Sequence, residues 1–248
     1  MKLTIIGSSD AFGSGGRLQT CFHAAHPGGQ FLIDCGATSL VGLARQGIDP
    51  NEISTIFISH LHGDHFAGLV WWLIHAIHVA KRTAPLTITG PVGIEKRFIA
   101  AAEALFPNST TTARAFDMQF VEYVERQPLE IAGVRVTPYL VSHPSGAPPY
   151  ALRFEVGGKI LAFSGDTEWV ESLIDASMGS DLFICECSAF EANARYHLNW
   201  RTIERNLDRI GAKHILLTHM GPETLANRHA IREQRVSLAE DGMVLDIG

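Results

Sequence analysis

From Ser59 the chain reads Ser-His-Leu-His-Gly-Asp-His, which places His60, His62, Asp64 and His65 within one short stretch. Imidazole and carboxylate together are donors suited to zinc, manganese or iron. The apolar run 53–58 precedes them, so the donors follow a strand end. Alternation along that end sends His60 and His62 to one side. Gly63 permits a bend, after which Asp64 and His65 point elsewhere. Two diverging sets of donors imply two adjacent metal ions rather than one. A polar loop that merely contains histidine does not account for four ligand-type residues in this order.

The pattern His-x-His-x-Asp-His behind an apolar strand resembles the signature of the metallo-β-lactamase superfamily. A dinuclear site of that kind needs three more donors. His143, Asp166 and His219 are the candidates, in Ser142-His143, Ser164-Gly165-Asp166-Thr167 and Thr218-His219. Each follows an apolar stretch, at 134–141, 159–163 and 214–217, and strand ends on a rigid scaffold aim side chains well. The resemblance implies that His60, His62 and His143 bind one divalent ion. Asp64, His65 and His219 would bind the other and Asp166 would bridge the two, which makes Asp64 essential to catalysis. Zinc is the expected metal, although the same donors accept manganese or iron. Such a pair shares a water whose pKa falls to near ~7 on zinc, so hydroxide exists at neutral pH. The reaction class is hydrolysis of an ester, amide or phosphodiester.

Differences in donors narrow the resemblance. β-Lactamases lack the histidine after the aspartate and carry cysteine where Asp166 stands. The diiron oxygen reductases carry glutamate where His62 stands. Glyoxalase II adds a helical domain for which this chain is too short. The sequence most resembles the ribonuclease Z group and its small phosphodiesterase relatives. That likeness rests on Gly7-Ser8-Ser9-Asp10-Ala11, Gly90-Pro91-Val92-Gly93, Ser164-Gly165-Asp166-Thr167 and Cys185-Glu186-Cys187-Ser188-Ala189-Phe190. In ribonuclease Z a glutamate of the last motif pairs with a downstream histidine that protonates the leaving oxygen. Glu186 and His197 stand at those positions. A carboxylate that holds an imidazole raises its basicity and fixes its tautomer, which suits a general acid.

The chain departs from ribonuclease Z at His197-Leu198-Asn199, where that group shows His-Ser-Thr, and has no counterpart of its basic, Gly/Pro-rich arm that grips transfer RNA. A smaller phosphodiester, a cyclic nucleotide or a nucleotide-derived compound, is therefore expected in preference to transfer RNA. A lactonase or other carboxylic ester hydrolase on the same metal core is the alternative. A metal-containing ligand-binding protein without catalysis is a third reading. The resemblance also implies a homodimer.

The elements must position these groups. The superfamily likeness implies an α/β fold, an αβ/βα four-layer sandwich, and the spread of donors from His60 to His219 favours one domain over 1–248. Strands are expected over 2–6, 30–34, 53–58 and 86–89, and helices over 38–46, 66–82 and 94–105. Strands over 118–124, 129–131 and 134–141 are assigned to a second sheet. A hairpin follows over 150–156 and 159–163, turning at Gly157-Gly158. Helices over 173–176, 202–210 and 224–234 alternate with strands over 181–185, 214–217 and 243–247. Asp34-Cys35-Gly36 resembles the superfamily's first motif, whose aspartate supports the metal loop from behind. The Gly/Ser-rich segment 8–17 reads equally as a hairpin connection or as a cradle of amides for an anion. Trp71 and Trp72 suit core or dimer packing better than a pocket wall.

Composition limits the partners. A formal net charge of -6 argues against general affinity for nucleic acid. Arg201, Arg205 and Arg209 share a helical spacing, but Glu204 and Asp208 interrupt them, so a solvated face is expected. The apolar run 69–80 is too short to span a bilayer, and the amino terminus has no signal-peptide layout. His75 and His78 lie one helical turn apart, yet the other donors already complete a site. Cys21, Cys35, Cys185 and Cys187 follow no disulfide or zinc-finger spacing, which points to a reducing cytoplasm. Cys185 and Cys187 are expected as a buried pair on one strand face.

Overall fold

The computed structural model describes residues 1–248. It contains two seven-stranded mixed sheets. The first runs β14(Val244–Asp246), β1(Lys2–Gly7), β2(Cys21–His26), β3(Gly29–Ile33), β4(Ile53–Phe57), β5(Leu86–Gly90), β6(Met118–Glu122). The second runs β13(Val236–Leu238), β12(His214–Thr218), β11(Leu182–Glu186), β10(Lys159–Phe163), β9(Tyr150–Val156), β8(Val134–Leu140), β7(Leu129–Ile131). Helices α1(Ser39–Arg45), α3(Gly68–His78) and α4(Ile94–Leu105) cover the first sheet. The one-turn α2(Gly63–Phe66) leads into α3. Helices α5(Ser172–Ser177), α6(Trp200–Arg205) and α7(Pro222–Asn227) accompany the second sheet.

Strand alternation explains the layering. Leu3, Ile5 and Phe57 of the first sheet meet Leu152, Phe154, Phe163 and Ile184 of the second in a central core. Phe31, Phe57 and Phe154 form its heart, with ring centroids 5.1–5.7 Å apart. The intervening residues face outward. Ile6, Leu32, Ile56 and Ile58 pack under Leu43, Leu69, Trp72 and Phe98 of the helices. Ala162, Phe183, Cys185 and Leu217 pack under Leu173, Ile203 and Leu207. Three cores between four layers make the αβ/βα sandwich. Strands buried on both faces read as near-continuous apolar runs, which is why the sequence exposes them.

Several elements differ from the sequence reading. The strand expected over 118–124 pairs parallel to β5 and closes the first sheet, not the second. The strands β2 and β13 were not expected. The helix expected over 66–82 is two helices and ends at His78. Beyond it Arg82, 3% exposed, donates to the carbonyls of Ala84, Pro50, Asn51, Ile53 and Pro85. The helices expected over 202–210 and 224–234 break into a short α-helix and a 3-10 turn each. Cys185 and Cys187 are buried on one face, as expected, and all four cysteines are free thiols. Trp72 is core, whereas Trp71 is exposed, with its ring set edge-on to Phe106. No helix is long and apolar enough to cross a membrane.

Candidate metal centre

The strands β4, β8, β10, β11 and β12 all leave the sandwich at one edge. Ligands in sheets of this kind gather at the carboxyl ends of strands. His60 and His62 follow β4, with α2 carrying Asp64 and His65 one turn later. His143 follows β8, Asp166 follows β10, and His219 follows β12. The structure brings all seven expected donors together.

They form two groups. Donor atoms of His60, His62 and His143 lie within 4.8 Å of one another, as do those of Asp64, His65, Asp166 and His219. His62 Nδ1 faces His143 Nε2 at 3.0 Å. Asp64 Oδ2 lies 3.3 Å from the Nε2 atoms of both His65 and His219. Asp166 sits between the groups: Oδ1 is 3.3 Å from His65 Nε2, and Oδ2 is 3.4 Å from His219 Nε2 and 3.7 Å from His60 Nε2. His75 and His78 join neither group.

The donors fit divalent metal. His60 Nε2, His65 Nε2 and Asp166 Oδ1 are buried and have no hydrogen-bond partner. Each such group costs about 1–3 kcal/mol unless something satisfies it, and coordination does. Burial, with the neighbouring His65 charge, holds His60 well below the usual histidine range, so it presents a neutral lone pair. Burial also depresses His65, but Asp166, Asp64 and Asp34 outweigh it and raise its pKa. That excess of carboxylate around one imidazole is an electrostatic demand for a cation.

Groups behind the donors aim them. Asp34 Oδ2 lies 2.6 Å from His65 Nδ1, and the carboxylate also accepts from the Ser59 amide and hydroxyl. Nε2 of His65 is thereby directed at the site. The Tyr196 carbonyl lies 3.0 Å from His143 Nδ1. A carbonyl can only accept, so Nδ1 carries the proton and Nε2 the lone pair. Asp34, Tyr196 and His219 have positive φ of 57°, 66° and 56°, a conformation seldom adopted by residues other than glycine and concentrated at functional sites. Gly36 allows a close approach: a Cβ there would lie 2.3 Å from the Asp64 carbonyl oxygen.

Glu186 and His197 also meet at the centre. Glu186 Oε1 lies 3.0 Å from His197 Nδ1 and accepts from the Thr167 amide at 2.7 Å. His197 stacks on His219 with ring centroids 5.5 Å apart, and its Nδ1 is 4.0 Å from Asp166 Oδ2. Burial raises the pKa of Glu186. Burial lowers that of His197, but the hydrogen bond and charge of Glu186 prevail and bring it to about 9.

Two other expectations resolve here. The amides of Phe12 and Ser14 in the segment 8–17 donate to Asp10 Oδ1. The loop cradles its own carboxylate, not an external anion, and connects β1 to antiparallel β2. Arg201 pairs with Glu191 and Glu204, and Arg209 with Glu171, so that face is ion-paired. The Tyr196 carbonyl had no signal in the sequence, because every residue carries one.

This arrangement can be set beside known proteins. The family described as anti-Pycsar protein Apyc1 matches residues 1–245. The chain belongs to that family. Ribonuclease Z from Agathobacter rectalis is 25% identical over 274 aligned positions, covering 90% of this chain and 88% of the relative. Among solved structures, the short form of human tRNase Z superposes with a TM-score of 0.80 at 24% identity, covering 100% of both chains. The metallo-β-lactamase fold protein YhfI from Bacillus subtilis superposes with a TM-score of 0.78 at 22% identity, covering 98% of both. This member of the Apyc1 family therefore has the metallo-β-lactamase fold. Its fold and donor set are those of a metal-dependent hydrolase.

Proposed function

We propose that the chain, acting as one domain, is a dinuclear phosphodiesterase for small nucleotide-type diesters such as a cyclic nucleotide or a dinucleotide. His60, His62 and His143 hold one ion, Asp64, His65 and His219 the other, and Asp166 lies between them. Zinc suits these donors, and manganese or iron could replace it. Divalent ions bound there supply Lewis acidity and make water a nucleophile at neutral pH.

The chain's own residues supply the rest. Glu186 holds His197 by Nδ1, which leaves Nε2 to deliver a proton. A diester that expels an alkoxide needs that proton, and a positioned histidine contributes about 10²–10⁴-fold to such a step. Asp34 and the Tyr196 carbonyl keep His65 and His143 from rotating away. The observation that carries the proposal is half-buried His197, held by the fully buried Glu186 beside Asp166. A lactone opened there also expels an alkoxide, so the pair bears on acid catalysis and the substrate class is decided by measured turnover.

The test compares leaving groups in zinc-loaded protein. A diadenylate expels a ribose alkoxide, whereas bis(p-nitrophenyl) phosphate expels a weakly basic phenolate. His197→Ala should cost the diadenylate about 10²-fold or more in kcat and the phenolate ester far less. Equal loss on both would remove His197 as the acid. Turnover of a simple lactone without diester turnover would move the chain to the carboxylic ester hydrolases. Two metals bound without either activity would favour a ligand-binding role.

A further inference from the structure

A cavity of about 290 Å³ lies beside the metal loop, lined by Leu61, Val92, Gly93, Lys96, Arg97, Ala100, Gly146 and Ala147. Its walls come from the two segments that carry metal donors. Leu61 stands between His60 and His62, and Gly146 follows His143 by three residues, at most about 11 Å of extended chain. The third wall is the first turn of α4, which contributes Lys96 and Arg97.

The charge of this cavity differs from that of four others on the surface. Four other surface concavities each include a carboxylate, among them Asp181, Glu52, Glu155 and Glu191. The Lys96–Arg97 cavity includes none. Nearby Glu122 accepts from the Gly93 amide at 2.7 Å, and it makes no ion pair with either cation. In a chain of net charge -6, two adjacent cations without an acid form a local positive field next to the donors. Gly146 is shaped to this arrangement. Its φ is +76°, and a Cβ would approach Arg97 Nη2 to 2.9 Å.

We infer that this cavity binds a second anionic group of the substrate, with Lys96 and Arg97 as specificity-determining residues. The chemistry is that of a phosphomonoester attached to the diester that is cleaved. Arg97 offers a planar fork of donors suited to phosphate, and Lys96 a point charge. The apolar Leu61, Val92, Ala100 and Ala147 suit the sugar or base between the two phosphates. Leu61 adjoins both His60 and His62, so a substrate held at the donors has this cavity as its immediate neighbour. This inference rests on the phosphodiesterase reading above.

The test uses zinc-loaded full-length protein and two substrates, a diadenylate with a free 5′-phosphate and the same diadenylate without it. Wild type should prefer the phosphorylated substrate in kcat/KM by about tenfold, near 1.4 kcal/mol. The preference should shrink with added salt and fall close to unity in Lys96→Ala/Arg97→Ala. Wild-type turnover of both at equal kcat/KM overturns the inference while leaving the phosphodiesterase reading intact. If neither is turned over, the phosphodiesterase reading fails, and equilibrium titration of the same pair decides the cavity. At least tenfold tighter binding of the phosphorylated compound, lost in the double variant, supports it. Equal affinity, or a preference unchanged in the double variant, refutes it.

Discussion

Replacing Glu186 by glutamine tests whether the carboxylate charge, and not merely its hydrogen bond, prepares His197. The side chain keeps its shape, and its oxygen can still accept from His197 Nδ1. What disappears is the negative charge that carries the pKa to about 9 against the depressing effect of burial. Without it, burial is opposed only by Asp166 and the retained hydrogen bond, and the pKa falls toward the ordinary 6.5. At pH 7.5 a histidine of pKa about 9 is ~97% protonated, and one of 6.5 is ~9% protonated. A general acid must carry its proton, so activity is present below the pKa and lost as pH rises through it. Turnover of the diadenylate by Glu186→Gln should therefore fall about tenfold at pH 7.5 and less than about twofold at pH 5.5. Divalent ions beside Asp166 lower both pKa values, so in the metal-loaded protein the window of the tenfold loss moves to lower pH while the separation between the two basic limbs is kept. The assay is kcat/KM against pH from 5.5 to 9.5 in zinc-loaded protein, followed by chromatography of the product. A loss by the same factor at every pH, or a basic limb that does not move, would refute the assignment of His197 as an acid tuned by Glu186.

Three further perturbations probe the scaffold. Asp34→Ala frees His65 Nδ1 and should weaken metal affinity about 10–100-fold, read by competition with a chromophoric chelator; unchanged affinity would mean that His65 is aimed by packing alone. Arg82→Ala strands five backbone carbonyls and should destabilise the fold by about 3–5 kcal/mol, measured by urea denaturation, with Arg82→Lys unable to restore a guanidinium's five donors; a loss below 1 kcal/mol would show that water replaces the guanidinium. Gly36→Ala drives a methyl against the Asp64 carbonyl, where a Cβ would sit at 2.3 Å, and should displace α2. Metal content well below wild type in otherwise folded protein is the expected result, and full occupancy would show that the loop can yield.

Legibility followed from how locally each feature is encoded. The donors of 60–65 were visible because one strand end and one helical turn carry them together. His143, Asp166 and His219 are signalled by the apolar stretches before them: β10 and β12 are buried on both faces toward their ends, and β8 alternates buried with exposed positions. The strand β2 carries no sequence signal, because Cys-Phe-His-Ala-Ala-His has neither clean alternation nor a β-branched run. Sequence order points residues 118–124 to the second sheet because the strands that follow them belong there. In fact β5, α4 and β6 form a parallel crossover, whose pairing partner lies before the helix and not after it. The helix through Arg82 was overextended for a different reason. Helical propensity does not oppose Arg82, but five carbonyls outside the helix capture its guanidinium.

The limit is sharpest at the centre itself. Four of the seven donors lie within six residues, and a short motif betrays them. The other three are brought there only when the second sheet closes over the first through the Phe31–Phe57–Phe154 core. The orientation of His143 depends on still less sequence information. It is set by the main-chain carbonyl of Tyr196, a residue held at positive φ one position before the acid His197. The same loop thus aims a metal donor with one residue and presents a proton with the next. A change anywhere along that loop that lets Tyr196 relax should disturb metal binding and acid catalysis together, although no side chain of the metal motif has altered.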